Sequence, residues 1–239
     1  ARNLRWTSDF NISFNKNRIL SLNDDETRLL TAVTQGWEMS KVNLYMAEVG
    51  SSAAQFIGLI WDGVYNYDDF NLVGDKYVLK SDRAANGSAR DMIHIGGFNN
   101  NFTCGRFNLN VFFQWSYGND VMNANRIYLE GNQTNRPALN QFKSYADRWT
   151  PENSDSKMFR AGGQGPVGFY SSRTLEDGSF LRLKTLQLSY NLSARACRYI
   201  GVQNLSVYVS GQNLFTWTDY SGMDPEVSVR NSALTPGFD

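Results

Sequence analysis

From Leu4 to Phe14 the even positions read Leu4, Trp6, Ser8, Phe10, Ile12 and Phe14, while the odd ones read Arg5, Thr7, Asp9, Asn11 and Ser13. Successive strand side chains point to opposite faces, so a period of two predicts a strand held between an apolar and a polar medium. Phe107 to Tyr117 repeats the pattern: Phe107, Leu109, Val111, Phe113, Trp115 and Tyr117 stand against Asn108, Asn110, Phe112, Gln114 and Ser116, with Phe112 the exception. Weaker versions run through Leu186, Leu188, Tyr190 and Leu192, and through Leu205, Val207 and Val209. Ten or eleven residues at about 3.3 Å each, tilted by about 45°, cross a hydrocarbon layer of about 25 Å. A soluble β-sandwich also alternates, but its strands average about 5 to 6 residues. Aromatic placement favours the membrane barrel: Trp115 and Tyr117 end one strand, and Phe215 and Trp217 lie just past another, as in an interfacial girdle.

The connections are unequal. Phe98 to Cys104 reads as a strand that meets the next through a short turn near Gly105-Arg106, whereas Tyr117 to Ser179 is a long polar connection. In bacterial barrels short turns face the periplasm and long loops face outside, so Phe107 to Tyr117 should run outward and Phe180 to Leu192 inward. Asp62 to Ile95 is then a second outer loop, and Val42 to Trp61 one strand interrupted at Gly50-Ser51-Ser52. Two strands there would reverse the orientation. An open set of six or seven such strands leaves edge N–H and C=O groups unpaired in lipid, so the rest of a barrel is expected. The chain also starts inside a strand pattern, with no signal peptide, so its true N-terminus is expected further upstream.

Composition narrows the function classes. With 41% hydrophobic and 14% aromatic residues the chain is not a disordered polymer, and its net charge of zero argues against a nucleic-acid partner. No run of 18 apolar residues predicts a transmembrane helix, which a barrel does not need. His94 is the sole histidine, so no His-based triad or metal cluster can be assembled, and it reads as a packed or loop residue. Cys104 and Cys197 fall at predicted periplasmic turns of different hairpins and read as unpaired. Asp62, Asp68, Asp69 and Asp75 fit neither an EF-hand loop nor a paired-carboxylate site, and read as solvated loop acids. No nucleophile or acid/base pair emerges, so the chain reads as a non-enzyme with no cofactor or metal.

Four segments carry a family resemblance: Phe10 to Ile19 (FNISFNKNRI), Phe107 to Asn125, Glu176 to Leu192 (EDGSFLRLKTLQLSYNL), and Gly211 to Glu226 (GQNLFTWTDYSGMDPE) closing on Thr235-Pro236-Gly237-Phe238-Asp239. In that order they resemble the C-terminal region of the SusC/RagA family of TonB-linked outer-membrane transporters. The resemblance implies an all-β fold, a transmembrane antiparallel β-barrel, of which residues 1–239 are the C-terminal portion of a 22-stranded, plugged barrel. It implies active import of glycans or oligopeptides across a Gram-negative outer membrane. The implied partners are a SusD-like surface lipoprotein, TonB acting through a segment outside this chain, and outer-membrane lipid, with a homodimer of the transporter and lipoprotein pair allowed. The residues placed at the outer mouth are Tyr117, Asn119, Asp120 and Asn123 after one strand, and Trp217, Asp219 and Tyr220 after another; aromatic faces flanked by amides and carboxylates suit sugars and peptides equally. Asp219, Asp224 and Glu226 belong to the signature, where ordering of the loop after the strand is expected. Two departures stand out. The family's acidic loop before Arg90 and its Pro-containing piece after Gly96 are missing, so Ala89 runs into Arg90 and Gly96 into Gly97, by excision or by natural deletion. The chain stops where the family continues into a closing strand. A passive porin and a soluble carbohydrate-binding sandwich remain as alternatives.

Overall fold

The computed structural model describes residues 4–23, 26–32, 43–53, 55–59, 70–73, 76–79, 86–88, 94–130, 140–158, 160–161, 171–228 and 236–239. Its strands, in chain order, are β1 (Leu4–Phe14), β2 (Arg28–Ala32), β3 (Asn43–Glu48), β4 (Gln55–Leu59), β5 (Phe70–Val73), β6 (Lys76–Leu79), β7 (Asn86–Ser88), β8 (His94–Cys104), β9 (Phe107–Tyr117), β10 (Asp120–Met122), β11 (Leu175–Asp177), β12 (Phe180–Asn191) and β13 (Ser206–Thr218). The helices are short: α1 (Asn125–Leu129) and α2 (Ala194–Tyr199). The chain divides into two compact units, one of residues 1–16, 92–119 and 177–220, the other of residues 17–91, 120–176 and 221–239.

The first unit is a five-stranded antiparallel sheet in the order β1-β8-β9-β12-β13, so strands adjacent in this series are adjacent in space. β8 and β9 pair over eleven residues, from His94 with Tyr117 to Cys104 with Phe107, and close through the predicted two-residue turn. There Gly105 takes φ of 63°, a left-handed conformation that glycine adopts without a Cβ clash. The Phe98 start was too late. The strand begins at His94, so Ile95 belongs to the sheet and not to the preceding loop. Gly96 and Gly97, the site of the second departure, are consecutive positions within β8 in register with both neighbours. The rings of β9 explain them: a Cβ at Gly96 would fall inside the Trp115 indole, and one at Gly97 would lie 3.0 Å from Phe112.

β12 carries a bulge at Lys184, where the register with β9 steps from Leu183 opposite Phe113 to Thr185 opposite Phe112. One extra residue reverses the side-chain parity. Leu181 and Leu183 therefore share a face with Leu186, Leu188 and Tyr190, although their numbers alternate differently. In β13 the pairing with β12 skips Asn213 and Leu214, with Asn213 at φ of 52°. This corrects the expectation that Phe215 and Trp217 lie past the strand: both are inside β13, opposite Leu183 and Leu181.

The second unit contains a four-stranded sheet, β2-β3-β4-β7, and the ladders β5-β6 and β10-β11. Val42 to Trp61 is thus not one interrupted strand. β3 and β4 are six and five residues long and pair antiparallel around the turn at Gly50. Neither joins the five-stranded sheet, and among the described residues the long strands number five. β3 buries Leu44, Tyr45, Met46 and Ala47 in succession, the signature of a strand covered on both faces. Leu44, Tyr45, Phe56, Met122, Ala124, Ile127 and Phe238 form the core. The TPGFD segment is stitched into it: Met122 N–H donates to Gly237 O at 2.7 Å, Asp239 N–H to Met122 O at 3.0 Å, and the Tyr45 hydroxyl to Pro236 O at 2.8 Å.

Candidate functional site

Register converts the alternation into two chemically opposed faces. On one, the rows across β1, β8, β9, β12 and β13 read Ile12-Gly96-Trp115-Leu181-Trp217, then Phe10-Phe98-Phe113-Leu183-Phe215, and at the other end Trp6-Phe102-Leu109-Leu188-Val209 and Leu4-Cys104-Phe107-Tyr190-Val207. The middle row is Ser8-Asn100-Val111-Leu186-Gly211, and its gaps are filled. Trp6 donates from Nε1 to Asn100 Oδ1 at 3.1 Å, leaving Asn100 buried, and Leu214 leans back over Gly211. Nothing among the described residues covers this face: Phe10 is 63% exposed, Val209 69% and Phe215 64%. A contiguous apolar surface of this kind requires a partner or lipid. Rings gather near its ends, with Trp115, Tyr117 and Trp217 at one and Trp6, Phe107 and Tyr190 at the other. At the first end His94 is packed as expected, accepting at Nδ1 from Trp115 Nε1 at 3.1 Å and stacking on Tyr117 at 5.1 Å.

The opposite face is amide-rich. Asn110 Nδ2 donates to both Asn99 Oδ1 and Asn101 Oδ1 at 2.7 Å, and Thr103 donates to Asn108 Oδ1 at 2.9 Å. Phe112, the exception in the pattern, lies over Gly97 on this side. Sequence reasoning missed Arg182, which is 3% exposed, donates from Nε to Thr216 Oγ1 at 3.0 Å and sits 4.9 Å from the Phe180 ring centroid. Its only sequence signal was a cation in a strand pattern. Amides and a guanidinium bind by donating and accepting, so this face suits water, sugars or peptide groups and not lipid.

The predicted mouth residues separate. Tyr117, Trp217 and Asp219 meet, lining one open cavity of about 730 Å³ with His94, Leu181 and Phe180, but Tyr117 and Trp217 reach it from the apolar face. Asn119 accepts from Ser116 Oγ at 2.8 Å in the same unit. Asp120 and Asn123 lie in the second unit. Asn123 and Tyr220 are buried, at 0% and 5% exposed. The Asn123 amide is used internally, donating to Glu176 Oε1 at 3.1 Å. Asp224 orders its loop as expected, accepting at Oδ1 from Glu226 N–H at 2.9 Å. Asp62, Asp68, Asp69 and Asp75 lie outside the described residues.

Around Asn123 the second unit holds a buried ionic knot that sequence reasoning also missed. Glu130 Oε2 receives Arg126 Nε at 3.0 Å and Arg173 Nη1 at 2.7 Å, while Ser144 donates to its Oε1 at 2.7 Å. Arg126 Nη1 also reaches Glu176 Oε1 at 3.1 Å, and Glu176 in turn accepts from the N–H and hydroxyl of Ser221. The four-residue spacing of Arg126 and Glu130 was its one legible sign. Burial lowers the Arg173 guanidinium below its ordinary pKa, with Glu130 opposing that shift and Arg126 adding to it. This arrangement ties α1 to the segments around Ser144, Arg173 and Ser221. Among the described residues no group of three His, Cys, Asp or Glu could hold a metal, and Cys104 and Cys197 are both free. No helix is long and apolar enough to cross a membrane, which does not bear on strands.

Comparison with known proteins places this architecture. The chain is 32% identical over 244 residues to TonB-dependent receptor P3 and 32% identical over 248 residues to TonB-dependent receptor P26, both of Formosa agariphila; each match covers 95% of this chain and 24% of the relative. No family model matches. Among solved structures it is similar to the RagAB peptide importer in its closed-closed state, with a TM-score of 0.76 and 21% identity over 100% of this chain and 26% of that one. The open-open state gives a TM-score of 0.74. The chain's homologues over nearly its whole length are thus TonB-dependent receptors, and its fold is that of the matching part of the RagAB structures. The chain spans about a quarter of the length of the curated relatives it matches.

Proposed function

We propose that residues 1–239 form part of the wall and outer loops of an outer-membrane active transporter that imports nutrients. The observation that carries this reading is the five-stranded sheet: its long strands present one uncovered apolar face, for lipid, and one amide-rich face, for an aqueous lumen. A soluble sandwich would bury the first face against a second sheet. In this reading the sheet continues into a closed, plugged barrel of 22 strands, β9 runs outward, and the second unit belongs to the extracellular loops. Tyr117 and Trp217 sit in the interfacial girdle, leaving Asn119, Asp120 and Asp219 as the candidates at the mouth. The partners are a SusD-like lipoprotein over the loops and TonB from the periplasmic side. The amides of the polar face suit glycans and oligopeptides alike, and the likeness to a peptide importer weighs toward peptides.

Uptake of labelled oligopeptide or oligosaccharide through the intact transporter, in cells with and without TonB, tests the reading. A plug moves only with work supplied from the inner membrane, so uptake should vanish without TonB or without a proton gradient while surface binding persists. Uptake at an unchanged rate in TonB-deficient cells would replace this reading with that of a passive porin.

A further inference from the structure

The zero net charge of the chain hides a separation. Residues 1–16, 92–119 and 177–220 carry eight Lys or Arg against three Asp or Glu, and the rest of the chain fifteen against twenty. No acid occurs between Asp91 and Asp120 or between Asp177 and Asp219. At the short-turn end of the five-stranded sheet this leaves Arg106 in the β8-β9 turn and Arg195 and Arg198 on α2. None of the three makes an ion pair among the described residues. One backbone bond ties the Arg106 turn to the strand that leads into α2: Asn191, at the end of β12, donates its N–H to Arg106 O at 2.9 Å, and α2 begins at Ala194.

α2 is seated by Cys197, which is 2% exposed, and capped by Ser193, whose Oγ accepts from Ala196 N–H at 3.1 Å. Its other side is open: Tyr199 is 92% exposed and Ile200 52%. These two residues, both α2 arginines and Leu192 line a shallow cavity of about 670 Å³. That cavity is continuous with the apolar face. Leu192 N–H donates to Leu205 O at 2.9 Å, which carries the β12-β13 pairing past Tyr190 and Val207 toward the helix. Arg198, in the last turn, complements the helix dipole, but Arg195, in the first turn, opposes it. Helix stability therefore does not account for Arg195.

We propose that α2 and the Arg106 turn clamp the headgroup of an anionic phospholipid in the leaflet reached by the short turns. Tyr199 and Ile200 sit at the headgroup boundary as interfacial side chains do, and the three guanidinium groups hold the phosphate by charge-assisted hydrogen bonds. Charge complementarity selects an anionic lipid, and continuity with the apolar face selects lipid over a soluble anion. The inference rests on the membrane reading above.

The test uses the intact transporter reconstituted into vesicles of phosphatidylethanolamine with and without phosphatidylglycerol, with protein-associated lipid measured by mass spectrometry. A basic residue near an anionic surface contributes about fivefold, so the three together should enrich phosphatidylglycerol over the bulk by between about fivefold and about a hundredfold. The enrichment should fall as salt shortens the Debye length from about 30 Å to about 3 Å. Replacing Arg106, Arg195 and Arg198 together by Gln should bring it to unity, and replacing them by Lys should keep most of it. Equal enrichment in the wild type and the Gln variant, or enrichment indifferent to salt, overturns the clamp. Insertion into both vesicles without any enrichment overturns the clamp alone, whereas failure of the wild type to insert overturns the membrane reading with it.

Discussion

β3 and β9 are both flanked by neighbours on two sides, yet they solve opposite problems. β3 buries four residues in succession, so its sequence shows no alternation and its stability comes from a packed interior. β9 alternates almost without fault and leaves its apolar side half exposed, with Phe107 and Tyr117 open. The difference teaches where each strand finds its apolar medium. One finds it inside its own unit, at about 1.5–3 kcal/mol for each large side chain buried. The other is left without it by the described residues. Substitutions that act through the interior and through the uncovered apolar face should therefore respond to different solvents.

The largest effect is expected in the interior. Glu130 joins two arginines and a serine at 4% side-chain exposure, and Glu130→Ala would leave Arg126 and Arg173 buried as like charges. Breaking a buried pair on one side costs roughly 3–5 kcal/mol. Thermal melting of the intact protein, with limited proteolysis across residues 120–176, should register this in detergent and in bilayer alike. A loss below about 1 kcal/mol would make the knot a surface feature.

The uncovered apolar face, proposed to meet lipid, comes next. Val111 lies in the middle row of the sheet, opposite Leu186, and Asn110 beside it points to the amide face. Val111→Arg should cost roughly 2–4 kcal/mol at the midplane, and Asn110→Arg much less. Folding from denaturant into bilayers reads both, and equal costs would refute the assignment of faces.

The same contrast explains what could be read in advance. β1 and β9 were legible to the residue because each carries its alternation without an inserted residue. β12 and β13 were legible only in part. The Lys184 bulge reverses parity inside β12, and Asn213 with Leu214 interrupts β13, so a period of two fails in the sequence where it holds in space. β3 and β4 were fused because an apolar run buried on both faces has no period to break. The candidate site divides similarly. Packing of His94 and loop ordering by Asp224 follow from local residue type, whereas burial of Asn123 and Tyr220 depends on contacts that neighbouring sequence does not encode. Arg173 and Glu130 are forty-three positions apart and meet only after folding.

A smaller cost is expected at Gly96, on the apolar face. The Trp115 indole occupies the space a methyl group would need, so Gly96→Ala should displace the ring, breaking its 3.1 Å bond to His94 and its stack on Phe10 at 5.6 Å. Overpacking of this kind costs about 1–3 kcal/mol. A red shift of tryptophan emission in bilayers would mark the displaced ring, and Trp115→Phe in the same background should recover part of the loss.

The smallest effect belongs to Arg28 and Glu48, paired at 2.8 Å between β2 and β3. The distance matches that of the buried knot, but the side chains are 53% and 35% exposed, so water screens the attraction and ordering two long side chains offsets much of it. A double-mutant cycle to Ala should return a coupling of about 0.2–1 kcal/mol that shrinks with added salt. The comparison isolates burial, because Glu130 and Glu48 make contacts of nearly equal length with arginine. A coupling at Arg28-Glu48 as large as the loss at Glu130 would mean that exposure does not set the difference between the two pairs.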